Sequence, residues 1–422
     1  MSRTLPEWLD YIEQQHPKSI DMGLDRVREV AGRMSLGRPA RQVVTVGGTN
    51  GKGSTVAFIE AIARAAGWRV GAYTSPHLLA FNERVRIEGV DADDTALVEA
   101  FEAVEAARGG TTLTYFEYAT LAALRLFERA DLDLAILEVG LGGRLDATNM
   151  IDPDVAVITT VDVDHQDWLG GDRETIGVEK AGIARAWKPL VLGDDDPPSS
   201  VLRHAYAIGA SAIRIGCDFF IDLPDEGNPS TWHWREIGCE LALPMPLLSA
   251  PVQLRNAATA IAALRALESP PSAQAVAEGV AQAAVAGRLQ RFERDGVAVL
   301  VDVGHNPQAA GAVAEWLQAH PVPGRTLAVY AALDDKDAAG VVAALADCID
   351  GWHLAGLEGV GPRGGSAAAL AARLAGTAAE GGQPHVDVAS AIRVACDEAG
   401  IHDRILVFGS FHTAAAALGV LA

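Results

Sequence analysis

The segment VVTVGGTNGKGSTVAFIEAIARAAG, residues 43–67, constrains the fold more than any other part of the chain. Its apolar start suits a buried strand, and its closely spaced glycines allow a sharp turn whose N–H groups point inward. From Ser54 onward, apolar residues recur at helical spacing until Gly67. A strand, a glycine-rich turn and a helix in this order predict an anion site at the helix N-terminus.

The turn departs from the general phosphate-binding pattern G-x-x-x-x-G-K-[ST] at two points. Gly47 lies one residue too late, and Gly53 separates Lys52 from the hydroxyl residues Ser54 and Thr55. A glycine-rich turn can also serve strand-to-helix packing, but that alternative requires neither a lysine nor four glycines. We therefore interpret the turn as a loop that binds nucleotide phosphates, with Lys52 as its point charge.

Composition and charge narrow the class of protein. The chain has 422 residues, enough for two or three domains, and its 49% hydrophobic and 21% charged content is typical of a soluble globular protein. A net charge of −21 argues against a general affinity for nucleic acid. The four cysteines form no C-x-x-C pair, so neither a disulfide framework nor a thiolate zinc site is predicted. With no signal-like start and no run of about 18 apolar residues, we expect a cytoplasmic protein without a membrane partner.

The alternation of apolar strands with helical segments predicts an α/β fold built on a mostly parallel sheet. Helices are expected near residues 5–34, 93–107, 115–130, 198–209, 252–268 and 272–286, with a less regular β segment over 212–243. From Val297 the order of strand and helix restarts. We therefore predict an N-terminal domain of residues 1–287, a linker at 288–296 and a C-terminal domain of residues 297–422.

Polar residues follow several predicted strands, at the edge where open parallel sheets bind their ligands. Glu138 interrupts an apolar strand at its carboxyl end, either as a magnesium ligand or as a cap for local glycine amides. His165 lies in an acidic loop and is either a ligand or a solvated turn residue. Ser75 either offers its hydroxyl to magnesium or begins an ordinary Ser-Pro turn.

Lys180 and the start of the second domain complete the set of candidate polar residues. From the residues alone, Lys180 is interpreted as a surface lysine paired with Glu179 or Glu174. Asp302 and His305 cluster in LVDVGHNPQ, where turn chemistry explains the Asn-Pro pair but not the histidine. No Ser-His-Asp arrangement is visible, so covalent catalysis by the protein is not predicted.

A series of ordered motifs spans nearly the whole chain: SIDMGLDRV, GTNGKGS, TSPHLLAFNERVRI, LTYFEYATLAAL, LEVGLGGRLDATN, DHQDWLG, EKAGI, RNAATAIAAL, GRLQRF, DVGHNP and GSFHT. In this order they resemble the dihydrofolate synthase/folylpolyglutamate synthase family of the Mur ligase superfamily. The two departures in the glycine-rich loop are that family's own form. The resemblance implies a central P-loop ATPase domain and a smaller C-terminal Rossmann-like glutamate-ligase domain, with the active site between them.

The resemblance also implies an activity and its ligands. The expected enzyme is an ATP-dependent ligase that adds L-glutamate to dihydropteroate and to reduced folates through an acyl phosphate. Two alternatives stay open, namely polyglutamylation alone and a non-catalytic nucleotide-binding switch. ATP, Mg²⁺ at two sites and a carbamylated Lys180 are expected, and a K⁺ requirement is left open. A monomer is expected, with small-molecule substrates and no nucleic acid as partner.

Site residues follow from the resemblance by position. ATP contacts are implied for Gly48, Thr49, Asn50, Gly51, Lys52, Gly53, Ser54, Asn256, Arg288 and Asp302. Magnesium ligands are implied at Ser54, Ser75, Glu138 and His165. Catalytic roles are implied for Lys52, Lys180 and His305. The pterin-bearing substrate is expected near residues 21–26 and at Phe81, Phe116 and Asp146.

Overall fold

The computed structural model describes residues 3–18, 20–223, 230–361 and 363–421. Ser19 of the SIDMGLDRV motif and residues 224–229 of the predicted β segment lie outside the described residues. Contacts divide the chain into unit 1, Met1–Leu247 with Gln253–Ala284, and unit 2, Leu248–Val252 with Val285–Ala422. Residues 288–296, interpreted as a linker from the sequence, fall in unit 2 and contain a strand.

The helices and strands of unit 1 follow one another as α1 (Leu5–Glu13), α2 (Asp25–Arg33), β1 (Ala40–Gly47), α3 (Lys52–Ala65), β2 (Val70–Tyr73), β3 (Val85–Ile87), β4 (Val90–Asp91), α4 (Asp94–Arg108), α5 (Tyr115–Arg129), β5 (Leu132–Glu138), β6 (Val155–Ile158), α6 (Gln166–Leu169), α7 (Arg173–Ala181), β7 (Pro189–Leu192), α8 (Ser199–Ile208), β8 (Ser211–Arg214), β9 (Phe219–Asp222), β10 (Thr231–Glu236), β11 (Cys239–Pro244), α9 (Val252–Arg265) and α10 (Ala273–Gln282).

The main sheet of unit 1 has the strand order β4-β3-β2-β5-β1-β6-β7-β8. The six strands from β2 to β8 in this order run parallel, and β3 and β4 add an antiparallel edge. In the register of β1 with β5, Val46 lies opposite Glu138. The glycine-rich turn and Glu138 therefore leave the sheet side by side at its carboxyl edge.

The β segment predicted over 212–243 includes a separate three-stranded antiparallel sheet, β11-β10-β9. Trp232 and Trp234 alternate along β10 and are both fully buried. The indole Nε1 of Trp234 donates to the carbonyl of Ala258 in α9, at 3.1 Å. This bond attaches the small sheet to α9, the helix that also carries Asn256.

Helix α5 shows how local sequence positions a site residue. Thr114 caps its N-terminus, where its hydroxyl accepts from the amide of Glu117 and the Glu117 carboxylate accepts from the amide of Thr114. A cap of this kind stabilises a helix by about 1 kcal/mol. Because the cap holds the first turn of α5 in place, it also orients Phe116 in that turn.

Unit 2 repeats the alternation with β12 (Gln290–Arg294), β13 (Val297–Val301), α11 (Pro307–Ala319), β14 (Thr326–Tyr330), α12 (Ala338–Leu345), β15 (Gly351–Ala355), α13 (Ala367–Arg373), β16 (Gln383–His385), α14 (Val388–Glu398), β17 (Arg404–Phe408) and α15 (Phe411–Leu421). Its sheet has the order β12-β13-β17-β14-β15-β16, parallel except for β12. The predicted α/β class with mostly parallel sheets is confirmed. Within the described ranges, each helix is too short or too polar to cross a membrane.

Candidate active site

The glycine-rich turn joins β1 to α3 through residues 48–51, and two of its glycines have positive φ. Gly51 has φ of +85°, and a Cβ there would lie 2.5 Å from Oδ1 of Asn256. Gly48 has φ of +145°, and a Cβ there would overlap the hydroxyl of Thr159. Glycine is therefore required at both positions, and the turn lies directly against Asn256, which is one of the predicted ATP contacts.

Hydrogen bonds fix the conformation of the turn. The amide of Thr49 donates to the carbonyl of Thr160 at 2.8 Å, and the amide of Asn50 donates to the Thr160 hydroxyl at 3.1 Å. The ammonium of Lys52 donates to the carbonyls of Gly48 and Thr49, at 3.1 and 3.2 Å. The loop therefore gathers one positive charge and the N-terminus of α3, the combination that favours bound phosphate.

Ser75 and Glu138, two predicted magnesium ligands, are brought together by the structure. Glu138 ends β5 and is buried, and its carboxylate accepts from the amide of Ser75 at 3.1 Å. Ser54, a third, is buried in the first turn of α3. Hydroxyl and carboxylate oxygens are the donors that Mg²⁺ prefers, so this edge of the sheet suits the ion.

His165 follows β6 and immediately precedes α6, with a left-handed backbone of φ +52°. Its Nε2 lies 4.0 Å from a carboxylate oxygen of Asp164. In the described ranges, no three His, Cys, Asp or Glu side chains are arranged to hold a metal ion. A magnesium site here would therefore depend on hydroxyls and on phosphate oxygens of the nucleotide as well as on Glu138.

The interpretation of Lys180 as a surface lysine is wrong. Its side chain is buried on the inner face of α7, beside Gly177 and Ala181. The two glutamates proposed as its partners are engaged elsewhere: Glu179 pairs with Arg144 at 2.8 Å, and Glu174 accepts from amides at the start of α8. The apolar residues on the same helix face were the signal that could have indicated burial.

The environment of Lys180 disfavours its charged form. Burial lowers the pKa of its ammonium to about 7, the charge of Lys52 acts in the same direction, and Asp164 opposes them. Burial lowers the pKa of a lysine strongly because the ammonium loses its favourable hydration. The lowered pKa makes the neutral, nucleophilic form of the Lys180 amine accessible near neutral pH.

The predicted substrate residues lie among aromatic rings at the same edge of the sheet. Phe116 packs so closely on Gly140 that a Cβ at Gly140 would lie 2.7 Å from the ring, and it stands 5.9 Å from the ring of Tyr73. Phe81 is buried 6.0 Å from the ring of Tyr115, the residue before Phe116. Tyr73, Phe81, Tyr115 and Phe116 thus form an aromatic wall, which adjoins the loop after β5 where Phe116 packs on Gly140.

Asp146 is buried and holds its own loop together. Its carboxylate accepts from the amide and the hydroxyl of Thr148, at 3.0 and 2.6 Å, and from the amide of Leu141 at 2.9 Å. Burial raises the pKa of Asp146, and these hydrogen bonds oppose that effect. The carboxylate therefore shapes the loop next to Phe116 whether or not it also contacts the substrate.

The N-terminal segment predicted to border the substrate is tied to α5. Arg26 binds the carboxylate of Asp21 at 2.5 Å and that of Glu117 at 3.1 Å. Glu117 is buried and follows Phe116 directly. The structure therefore brings residues 21–26 to the helix turn that carries Phe116.

The loop between β2 and β3 is organised by a single carboxylate. Glu83 accepts from three successive amides, those of Leu78, Leu79 and Ala80, at 2.7, 2.7 and 2.8 Å. The loop begins at Ser75, beside Glu138, and includes Phe81. It thus connects the predicted metal ligands to the aromatic wall.

Three predicted residues gather in unit 2. Asp302 follows β13, is buried, and accepts from the amide of Leu289 at 2.9 Å. Burial raises its pKa, while the charges of Arg288 and His305 lower it. The guanidinium of Arg288 lies 5.6 Å from the ring centre of Phe411, and the His305 ring lies 6.4 Å from it. These three side chains therefore form one polar cluster at the carboxyl end of β13.

Comparison with known proteins identifies the family. The Mur ligase middle domain matches residues 46–264, and the Mur ligase glutamate ligase domain matches residues 287–411. A dihydrofolate synthase/folylpolyglutamate synthase of Escherichia coli strain K12 is 46% identical over 418 residues, spanning 99% of this chain and 95% of that protein. The chain belongs to the dihydrofolate synthase/folylpolyglutamate synthase family. A Haemophilus influenzae member is 41% identical over 434 residues, spanning 97% of this chain and 96% of its own.

Solved structures of the family share the fold. Escherichia coli FolC in complex with DHPP and ADP superposes with a TM-score of 0.93 at 45% identity, covering 99% of this chain and 98% of that one. A bifunctional folylpolyglutamate synthase/dihydrofolate synthase with Mn, AMPPNP and L-glutamate bound gives a TM-score of 0.91 at 44% identity, covering 100% and 98%. The recognised family and the two-domain α/β fold are thereby confirmed.

Proposed function

We propose that this protein is an ATP-dependent ligase that adds L-glutamate to dihydropteroate, giving dihydrofolate, and to reduced folates. The observation that carries the proposal is the common edge of β1, β5 and β2, where a phosphate loop, a buried carboxylate and an aromatic wall adjoin. Relatives that bind ADP with DHPP, or AMPPNP with L-glutamate, support the same substrates here. The aromatic wall fits the flat pterin, and the loop fits the nucleotide.

The chemistry follows from the charges at this edge. A carboxylate is too poor an electrophile to accept an amine at neutral pH, so the substrate carboxylate first attacks the γ-phosphate of ATP. Lys52 and the amides of the loop offset the negative charge that collects during this transfer. The amine of glutamate then displaces phosphate from the acyl phosphate, giving an amide, ADP and inorganic phosphate. Each step requires positioned charge rather than a nucleophile from the protein.

Ser54, Ser75, Glu138 and His165 would hold magnesium, in two sites, because they offer hard oxygen donors and one imidazole near the phosphate loop. Bound magnesium would neutralise the β- and γ-phosphate oxygens. We also propose that Lys180 is carbamylated. Burial lowers the pKa of its amine to about 7, which favours the neutral form, and only the neutral amine reacts with CO₂.

The remaining assignments rest on the family resemblance. Asn256, Arg288 and Asp302 contact ATP, and His305 acts in catalysis, in this proposal. The proximity of Asn256 to Gly51 supports the first of these contacts. The enzyme works as a monomer in the cytoplasm on small molecules, with domains at residues 1–287 and 297–422, and without nucleic acid as partner.

The activity is tested by supplying purified protein with MgATP, L-glutamate and either dihydropteroate or tetrahydrofolate. We expect ADP and a glutamylated product with both acceptors. Product from tetrahydrofolate alone would support polyglutamylation only, and nucleotide binding without ADP release would support a switch protein.

A matched pair of lysine variants links the activity to the loop. Lys52→Ala should abolish product formation because it removes the charge held by the loop carbonyls. Lys188→Ala should leave turnover unchanged because Lys188 is a half-exposed lysine paired with Asp154.

A further inference from the structure

Arg84 is a buried arginine whose terminal nitrogens have no hydrogen-bond partner among the residues that the structure describes. It ends the 3₁₀ helix Phe81–Arg84, and only 8% of the residue is exposed. Its Nε donates to Nδ1 of His77 at 2.8 Å. Among residues 3–18, 20–223, 230–361 and 363–421, none accepts a hydrogen bond from Nη1 or Nη2 of Arg84. Neither atom is fully enclosed, so both keep some contact with solvent.

Arg86, two residues later, is an arginine whose hydrogen-bond partners lie within the protein. Its Nε and Nη2 bind the carboxylate of Glu60, at 3.0 and 2.7 Å, and its Nη1 donates to the carbonyl of Glu83 at 3.2 Å. Glu60 is itself buried. A buried cation without such a partner is costly, so the unpaired guanidinium of Arg84 requires a different explanation.

Arg84 lies among the aromatic rings of the predicted substrate site. Its guanidinium carbon lies 5.5 Å from the ring centre of Phe81 and 5.4 Å from that of Tyr115. Its charge lowers the pKa of both Tyr73 and Tyr115, which burial otherwise raises. Tyr73 in turn contacts the ring of Phe116. Arg84 is therefore the cationic donor of the aromatic wall.

We propose that Arg84 binds the acid substrate directly, donating from its Nη atoms to the exocyclic carbonyl oxygen of the substrate's fused heterocycle. The assignment rests on the proposed function, because it takes the substrate to be a pterin joined to a benzoate. The heterocycle is the part of that molecule that matches an aromatic wall, and its carbonyl is the acceptor that a planar guanidinium suits. The carboxylate at the other end must face Lys52 and the phosphate loop to react.

The test uses Arg84→Met, which keeps an unbranched apolar stem and removes the guanidinium with its charge and donors. We expect KM for dihydropteroate to rise about 10- to 100-fold, as for the loss of hydrogen bonds to a charged group. KM for ATP and for glutamate should stay within about twofold. The loss of the hydrogen bond to His77 should lower the stability only slightly, so the rise in KM for dihydropteroate is the deciding result. Arg41→Met, an exposed arginine at the start of β1, is the matched control and should change none of these values.

Two further measurements decide which role Arg84 has and which substrate oxygen it binds. A lower Tm with unchanged KM for dihydropteroate would show a structural arginine and overturn the proposal. Calorimetry with 6-methylpterin and with p-aminobenzoate separates the two ends of the substrate. Weaker binding of the pterin alone in Arg84→Met supports the proposal, and weaker binding of p-aminobenzoate alone refutes it.

The same experiments test the proposed ligase activity independently of the proposed role of Arg84. If wild-type protein binds the pterin through Arg84 but releases no ADP, the ligase activity is wrong and the Arg84 site stands. If the wild-type protein is an active ligase and Arg84→Met does not change the KM for dihydropteroate, the proposed role of Arg84 is refuted and the ligase activity stands.

Discussion

Replacing Lys180 with methionine should stabilise the protein, and by more at low pH than at high pH. Lys180 is buried in α7, and its environment lowers its pKa to about 7. In the unfolded chain the pKa of a lysine is about 10.4. Between these two values the unfolded state binds more protons than the folded state, so the stability of the wild-type protein rises with pH through this window.

The size of the effect follows from the two pKa values. Below pH 7 the lysine is charged in both states, and burying the ammonium costs about 5 kcal/mol at 1.36 kcal/mol for each unit of pKa. At pH 9 the folded lysine is neutral while the unfolded one is charged, which leaves a cost of about 2 kcal/mol. Lys180→Met should therefore gain about 3 kcal/mol more at pH 6 than at pH 9. Any change in packing cancels from this difference because it is the same at both pH values.

Urea unfolding followed by tryptophan fluorescence measures this difference, in CO₂-free buffer so that the amine stays unmodified. Lys188→Met, at a half-exposed lysine, is the control and should show the same change in free energy of unfolding at both pH values. A direct titration is also practical, because the chain contains only five lysines. In a ¹³C-lysine NMR spectrum one signal should titrate near pH 7 and disappear in Lys180→Met.

An equal stabilisation at pH 6 and pH 9 would refute the reasoning. It would mean that Lys180 keeps an ordinary pKa, through hydration or a counter-charge, despite its burial. The absence of any lysine signal titrating between pH 6 and 8 would lead to the same conclusion.

The loop and the strand edge give three further predictions. Gly51→Ala should weaken ADP binding, measured by calorimetry, at least about tenfold, because the new Cβ would lie 2.5 Å from Asn256. Gly67→Ala is the control for backbone strain alone, because Gly67 also has a positive φ, +80°, but has open space around it. Glu138→Gln should lower kcat about 10²-fold and raise the magnesium concentration needed for half-maximal rate, whereas an unchanged magnesium requirement would contradict its role as a ligand. Removal of CO₂ should reduce turnover at pH 7 and bicarbonate should restore it, whereas Lys180→Met should not respond to bicarbonate.

Local features of the sequence predicted most of the fold. The helix expected at residues 115–130 is Tyr115–Arg129, and the helix expected at 198–209 is Ser199–Ile208. Both follow from periodicity and from capping residues such as Thr114, which act over a few residues. The family motifs then supplied the order of the domains and the identity of the phosphate loop.

The features that the sequence did not reveal depend on distant contacts. The burial of Lys180 arises from packing of α7, and its lowered pKa owes part of its shift to Lys52, more than a hundred residues away. Arg84 and Arg86 look equivalent in the sequence, and their different partners, among them Glu60 on α3 for Arg86, appear only in the tertiary structure. Interpretation of single residues fails at such positions because the charge balance is set by tertiary structure.

The carboxylate of Glu83 has a consequence for the thermodynamics of substrate binding. It holds the amides of Leu78, Leu79 and Ala80 in one arrangement through hydrogen bonds within the protein itself. The residues of this loop therefore lose their conformational freedom when the protein folds, and not when the substrate arrives. Association then carries a smaller entropic penalty, and more of the contact energy of the aromatic wall remains available as affinity.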